Sequence, residues 1–329
     1  MKFEVEHELV ERFAISNRPI DASLVVACRD DESFIESFLN SVNRMTDVNL
    51  EVVLVDDGSH CRVKPSDLEA LRWNWTLVRT ERLGLSSALN LAAMLSNSGI
   101  LARHDLDDVS TPSRIAKQIS YMRKNDLDVV GSQAWVTDSN LVRLIQTKLP
   151  CDHATIAKWL NSPYRGNPIV HGSALIRRKS FEVVGGYVRE FAKSQDLDLW
   201  IRLLATGAQF GNLEKPEYYW RARSGSAGSS SGLTQSTFAR LARMSQSDRP
   251  SLREIGLAST TKVKVRTDAF VAAAAGSRRG SIGVLLCWWK VRTRLTFSEH
   301  LQVLLLIVWS SSLLRFVRPL LRRIIRIRG

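Results

Sequence analysis

The densest chemistry in the chain is carried by aspartates. The stretch ARHDLDDVSTPSRIAKQI, residues 102–119, sets Asp105, Asp107 and Asp108 within four positions, directly after the apolar pair Ile100–Leu101. A second pair, Asp56 and Asp57, closes the apolar run EVVLV and opens a Gly-Ser turn. Carboxylates gathered this closely raise one another's pKa unless a cation compensates. Hard oxygen ligands with no cysteine beside them suit Mg2+ or Mn2+ rather than zinc. A metal held by one or two carboxylates keeps positions open, which phosphate oxygens fill. The other reading of DLDD is a surface turn with helix caps, since Asp favours both. That reading leaves the second cluster unexplained.

The carboxylates act together only if the chain folds them to one place. Short apolar runs at Ala22–Ala27, Glu51–Val55, Trp75–Thr80, Ile100–His104 and Asp128–Trp135 read as strands. Helical spacing falls between them, over Glu32–Asn43, Asp67–Arg72, Leu85–Leu95 and Thr111–Asn125, the last with Pro112 at its first turn. Further on, Ile169–Ile176 reads as a strand, Asp196–Thr206 as a helix stopped by Gly207, and Tyr218–Arg221 as a last short strand. This alternation predicts an α/β fold, a mostly parallel sheet with helices on both faces. Ligands of such sheets sit at the carboxyl ends of strands. Both acidic clusters lie at predicted strand ends, so they are expected to share one edge.

Neither a GxGxxG turn nor a GxxxxGK[ST] loop occurs, which argues against a dehydrogenase or a P-loop enzyme. The segment ACRDDES after the first strand lacks the glycine-rich, basic signature of nucleotidyltransferases. A βα sheet with DxD but no glycine-rich phosphate turn points to a nucleotide-diphosphate sugar. Seven stretches carry a closer likeness: ASLVVACRDDESFIESFLNSV, EVVLVDDGS, ERLGLSSALNLA, ARHDLDDVSTPSRIAKQI, NPIVHGSALIRRKSFEVVGGY, SQDLDLWIRLLATG and YYWRARSGS. In this order and spacing the chain resembles family 2 glycosyltransferases of the GT-A (Rossmann-like) fold, over about residues 21–225.

The resemblance implies roles. Ala27, Cys28, Arg29 and Asp57 would hold the base and ribose, with Arg82 in the same nucleotide-sugar set; the family pattern leaves Asp56 without a fixed part. Asp105 would face the ribose or metal, Asp107 would be the main metal ligand, and Asp108 would adjoin it, with Mn2+ or Mg2+ as cofactor. Asp196 would be the catalytic base of an inverting, single-displacement transfer. An aspartate at a helix start is also an ordinary N-cap, and Asp198 is a competing carboxylate. Arg221 and Arg223 would clamp the diphosphate or end a strand in water. His171 would lie near the acceptor or be a satisfied core histidine. Trp135 and Trp200 read as packing residues, and Trp200 is also a candidate for the acceptor site. Gln195 replaces the usual Glu, Arg29 the common Asn, and Arg223 the common His.

The chain has 329 residues and a formal charge of +13, which looks like a nucleic-acid binder until divided. Residues 233–329 hold 18 Lys/Arg against 4 Asp/Glu, while residues 1–232 hold 28 against 29. The excess belongs to the C-terminal segment, predicted as a helical, basic, amphipathic extension. There Arg315, Arg318, Arg322 and Arg326 fall on one helical face among large aliphatics. This is the pattern of an interfacial anchor on an anionic membrane surface. A helix packed on the catalytic domain or in a homo-oligomer is the other reading. The aliphatic composition disfavours RNA, and no nucleic-acid partner is expected. The uncharged run LQVLLLIVWSSSLL is shorter than a spanning helix requires. Four scattered cysteines without a CxxC pair fit a reducing compartment. The charged N-terminal stretch lacks the apolar core of a signal peptide, so a cytoplasmic, peripheral location at the inner membrane face is predicted. The expected organisation is an arm over 1–20, a catalytic domain over 21–232 with SGSAGSSSG as a linker at its end, and the basic region over 233–329. The expected partners are a UDP-, GDP- or dTDP-linked sugar and a saccharide or lipid-linked acceptor used in surface polysaccharide synthesis. The alternative is a non-catalytic nucleotide-sugar-binding or scaffold relative.

Overall fold

Apolar runs rich in valine must pair their backbone polar groups once buried, and this chain pairs them in one mixed sheet. The computed structural model describes residues 7–162, 165–222, 239, 242 and 243. The linker, Arg223 and the arginine-bearing helix predicted near the C-terminus therefore lie outside the described residues. In chain order the elements are β1 Glu8–Phe13, β2 Ala22–Cys28, α1 Ile35–Asn43, β3 Leu50–Asp57, β4 Asn74–Thr80 and α2 Leu85–Leu95. There follow β5 Ile100–Arg103, β6 Val109–Ser110, α3 Arg114–Lys124, β7 Val129–Thr137, β8 Arg143–Gln146 and α4 His153–Leu160. The last are β9 Leu175–Arg177, α5 Arg178–Val183, α6 Gln195–Ala205 and β10 Phe210–Arg221.

The sheet order is β1-β4-β3-β2-β5-β9-β7-β10-β6, with β8 added on β7. β2, β3, β4 and β5 run parallel. The short β9 is antiparallel to both β5 and β7, so β7 and its parallel neighbour β10 point the same way as the first four. One edge of the sheet thus collects the carboxyl ends of β2, β3, β5, β7 and β10. Alternation divides the faces: Ala22, Leu24, Val26, Leu50, Val52 and Leu54 pack with Ile35, Phe38 and Val42 of α1 and Ile115, Ile119 and Met122 of α3. The buried side chains of α2, among them Ala88, Leu89 and Ala92, lie outside that cluster, against β2 and β3. The α/β expectation is met.

Four local expectations need correction. Residues 8–13 are an antiparallel edge strand on β4 rather than a free polar arm. Asp67–Arg72 is not an α-helix; only Asp67 is helical, as the last residue of a 3-10 turn over Pro65–Asp67. The third helix starts at Arg114 rather than Thr111: Thr111 N–H pairs with the Glu217 carbonyl of β10 at 3.0 Å, and Arg114 N–H closes a tighter turn on the Thr111 carbonyl at 3.2 Å. Ile169–Ile176 is strand only from Leu175. His171–Ser173 makes a 3-10 turn, which lets Gly172 approach the end of β5.

Candidate active site

β3 ends in Asp57 and β5 in Arg103, on either side of β2 and parallel to it, so the two aspartate clusters do share an edge. They do different work there. Asp56 is fully buried, and its oxygens accept the N–H groups of Ser59 (3.0 Å) and Val63 (3.1 Å), closing the turn after β3. Asp57 accepts the Thr80 hydroxyl at 2.9 Å and the N–H groups of Leu83 (2.6 Å) and Gly84 (2.8 Å). It thereby sets the loop that carries Arg82, whose φ of +50° is left-handed. Arg82 Nη2 lies 3.0 Å from His60 Nε2, and His60 Nδ1 lies 3.0 Å from Asp30 Oδ1. On β2, Ala27 and Cys28 are buried, and burial, then Asp56, push the Cys28 thiol well up. Arg29 beside them is exposed.

The second cluster stands over buried positive charge. Arg103 pairs with Asp105 and donates to the His104 carbonyl. Burial opposes the Arg103 charge, and Asp105, together with Tyr187 and Tyr218, more than restores it. Arg114, at 0% exposure, donates to the carbonyls of Arg103 (3.2 Å) and Gly172 (3.0 Å). Burial lowers it to about 10, so it stays protonated at neutral pH. His104 is driven well down by burial and by Arg114, and is neutral. The Tyr218 hydroxyl accepts the Asp105 N–H at 3.1 Å and lies near enough to Asp108 to favour its ionised form. A Cβ on Gly172 would meet that hydroxyl at 2.4 Å and Asp105 Oδ2 at 2.7 Å, so only glycine fits beneath the loop.

Asp105 and Asp107 are half-buried, whereas Asp108 is 2% exposed. Burial, with Asp105 and Asp107 adding to it, holds the Asp108 carboxyl well above the ordinary range. Arg221 is neither a solvated strand end nor an open clamp. It is buried, its backbone N–H donates to Asp108 Oδ1 (2.8 Å), and its Nε donates to the Asp107 carbonyl (2.7 Å). Its remaining nitrogens reach the Ser139 carbonyl and Ser37 Oγ. It is a strut of the acidic loop.

Across from this loop, α6 begins at Gln195 after Ser194, whose φ is +56°. The two carboxylates of its first turn separate cleanly. Asp198 is fully buried and accepts Arg202 Nε at 2.8 Å, one turn along. Asp196 is half-buried and close enough to Asp105 for that charge to act on it; burial first, then Asp105, raise its pKa. His171 Nε2 meets the Tyr187 hydroxyl at 2.8 Å, and burial, with Arg103, keeps the ring neutral. Trp200 has no exposed surface and packs edge-on to His171 and Phe210, which makes it core rather than lining. Trp135 carries Arg143 over its ring, 5.1 Å away.

Arg103, Arg114 and Tyr218 are site residues that reading the sequence for chemistry passed over. Only Arg103 carried a signal, an arginine at the end of a strand two residues before an aspartate. Among the described residues, no three His, Cys, Asp or Glu side chains converge as a ready-made cage.

The family description "Glycosyl transferase family 2" matches residues 23–185, which span β2 to α5. The O-antigen biosynthesis glycosyltransferase WbnJ of Escherichia coli is 30% identical over 185 residues, 55% of this chain and 71% of that protein. The amylovoran biosynthesis glycosyltransferase AmsE of Erwinia amylovora is 28% identical over 199 residues, 58% of this chain and 71% of that protein. Among solved structures, residues 1–349 of S. aureus TarS in complex with UDP-GlcNAc superpose with a TM-score of 0.57 at 15% identity, covering 83% of this chain and 85% of that one. That likeness concerns the fold. With the sequence matches beside it, the conclusion is that this chain belongs to glycosyltransferase family 2 and is a glycosyltransferase.

Proposed function

We propose that the protein moves a sugar from a nucleotide-diphosphate sugar to a saccharide or lipid-linked saccharide, with inversion and with help from a divalent metal, in building a surface polysaccharide. Asp196 takes the proton of the acceptor hydroxyl. That oxygen forms a bond to C1 as the bond from C1 to the diphosphate breaks, and the nucleoside diphosphate leaves with the electron pair. The observation that carries this reading is the pairing of Asp196, a carboxyl made more basic by burial and Asp105, with an acidic loop on the same sheet edge.

The loop fits a hard cation. Its donors are carboxylate oxygens, and Asp108 is pushed toward its neutral form by burial and then by Asp105 and Asp107, a state that a cation would relieve. Asp107 would be the principal ligand, with Asp108 beside it. A bound Mg2+ or Mn2+ supplies neutralisation of charge on the departing diphosphate. Ala27, Cys28 and Arg29 serve the base and ribose at the end of β2, Cys28 through its backbone. Asp57 acts through the Arg82 loop, Arg221 through the acidic loop, and His171 faces the acceptor side. A panel of UDP-, GDP- and dTDP-sugars, read by thermal denaturation with and without Mn2+, tests the assignment. One nucleotide class is expected to stabilise the protein by about 2.7 kcal/mol at a hundred times its Kd in Mn2+, and much less at the same concentration without metal. No stabilisation by any of them would remove the donor reading.

Among the described residues no helix is long and apolar enough to cross a membrane. The charge of the C-terminal segment supports peripheral attachment to an anionic bilayer, which would bring the enzyme to a lipid-linked acceptor. The full chain is expected to sediment with phosphatidylglycerol vesicles at low salt and to be released by salt. Equal binding to neutral phosphatidylcholine vesicles would contradict this.

A further inference from the structure

Two hydrogen bonds hold the Asp196 carboxylate. Oδ1 accepts the backbone N–H of Leu197 at 2.8 Å, and Oδ2 accepts Asn167 Nδ2 at 2.5 Å. The first is local to α6. The second arrives from a loop that nothing in the sequence ties to the helix. Chemistry fixes the amide's orientation, because Asn167 Oδ1 accepts the N–H of Ile169 at 3.1 Å. A backbone N–H only donates and an ionised carboxylate only accepts, so a flipped amide would lose both bonds.

The loop is itself clamped. Asn212 of β10, 1% exposed, donates Nδ2 to the carbonyls of Pro168 (2.9 Å) and Pro150 (2.6 Å). Gly131, its partner on β7, leaves the room for this: a Cβ there would lie 2.1 Å from Asn212 Oδ1. The residue after Asn167 is therefore pinned to the β7–β10 pair, and the amide reaches Asp196 from a rigid base.

We propose that Asn167 is the positioning residue of the catalytic base, holding the Asp196 carboxylate in one orientation and in its ionised form through a loop that Asn212 clamps to β10. This rests on the reading of Asp196 as the base. A donor on the charged form of a carboxylate lowers its proton affinity, so Asn167 and Leu197 work against burial and the charge of Asp105. The other titratable neighbour, Tyr187, has its phenol pushed up by burial and is neutral. Without the Asn167 donor, the Asp196 pKa rises and the carboxylate is free to rotate.

The test uses the full chain with carboxyl carbon-13 labelled aspartate, the Asp196 signal being assigned by its loss in Asp196→Asn. Asn167→Asp keeps the shape and the acceptor for Ile169 N–H while removing the donor; Asn167→Ala removes both. The Asp196 midpoint is expected to rise by about one pH unit, a tenfold change in proton affinity, in Asn167→Ala, and further in Asn167→Asp. With the sugar nucleotide that stabilises the protein, kcat is expected to fall about tenfold or more with donor KM unchanged, and the acid limb of kcat/KM to move with the midpoint. An unmoved Asp196 midpoint in Asn167→Asp would overturn the positioning role alone. Wild-type turnover in Asp196→Asn would overturn the base assignment, and the positioning role with it.

Discussion

Asp196→Asn is expected to cut sugar transfer by about 10²–10⁴-fold, the usual contribution of a positioned general base, while the nucleotide sugar still binds within about twofold of wild type. The side chain keeps its size, and the acidic loop across the site is untouched. The pH dependence has a definite sign. The base acts when ionised, and burial and the Asp105 charge raise its pKa. The acid limb of kcat/KM therefore lies above the ordinary carboxylate range, with activity gained as pH rises through it. Asp198→Asn provides the contrast. Asp198 is committed to Arg202 inside the protein, so its loss acts on stability and leaves the position of that limb where it was. A wild-type rate for Asp196→Asn would leave this aspartate as a structural carboxylate of the first turn of α6.

Asp107→Ala is expected to weaken Mn2+-dependent binding of the donor by about 10²-fold, on the order of 2–3 kcal/mol, and to spare the weaker metal-free binding. Three carboxylates stand over the buried Arg103 and Arg114. The guanidiniums are buried while Asp105 and Asp107 are half-exposed, so without a cation a diphosphate meets these carboxylates first and is repelled. Removing one carboxylate relieves that repulsion, so affinity measured in EDTA is expected to stay level or rise slightly. A calorimetric titration of the donor, with and without Mn2+, reads both. Equal weakening in the two conditions would mean that Asp107 shapes the loop and holds no metal.

The strands were legible because β2 and β3 are buried on both faces, and continuous apolar runs such as ASLVV and EVVLV announce that. The shared edge followed from parallel order alone. Side-chain assignments depended on partners distant in sequence. Asp57 read as a base and ribose contact and Asp56 had no fixed part; their oxygens answer to Ser59, Val63, Thr80, Leu83 and Gly84. Arg221 looked like a clamp until the acidic loop was seen to fold back over it. The choice between Asp196 and Asp198 was readable in principle, since Arg202 stands four residues beyond Asp198 on one helix, the spacing of an intrahelical ion pair. Asn167 had no such signal, because its contact with α6 is made only by the tertiary fold.

The three residues of β9 also dictate the order in which the sheet can close. During synthesis the ribosome delivers β1 to β5 first, and the outer edge of β5 then has no partner until Leu175–Arg177 emerges. β7 is made earlier, yet it joins that half-sheet only through the same late strand. A nascent chain at this stage leaves the edges of both β5 and β7 open, the state most exposed to pairing with a neighbouring chain. No fragment ending before Arg177 can seal its own sheet, however complete its donor-side aspartates are.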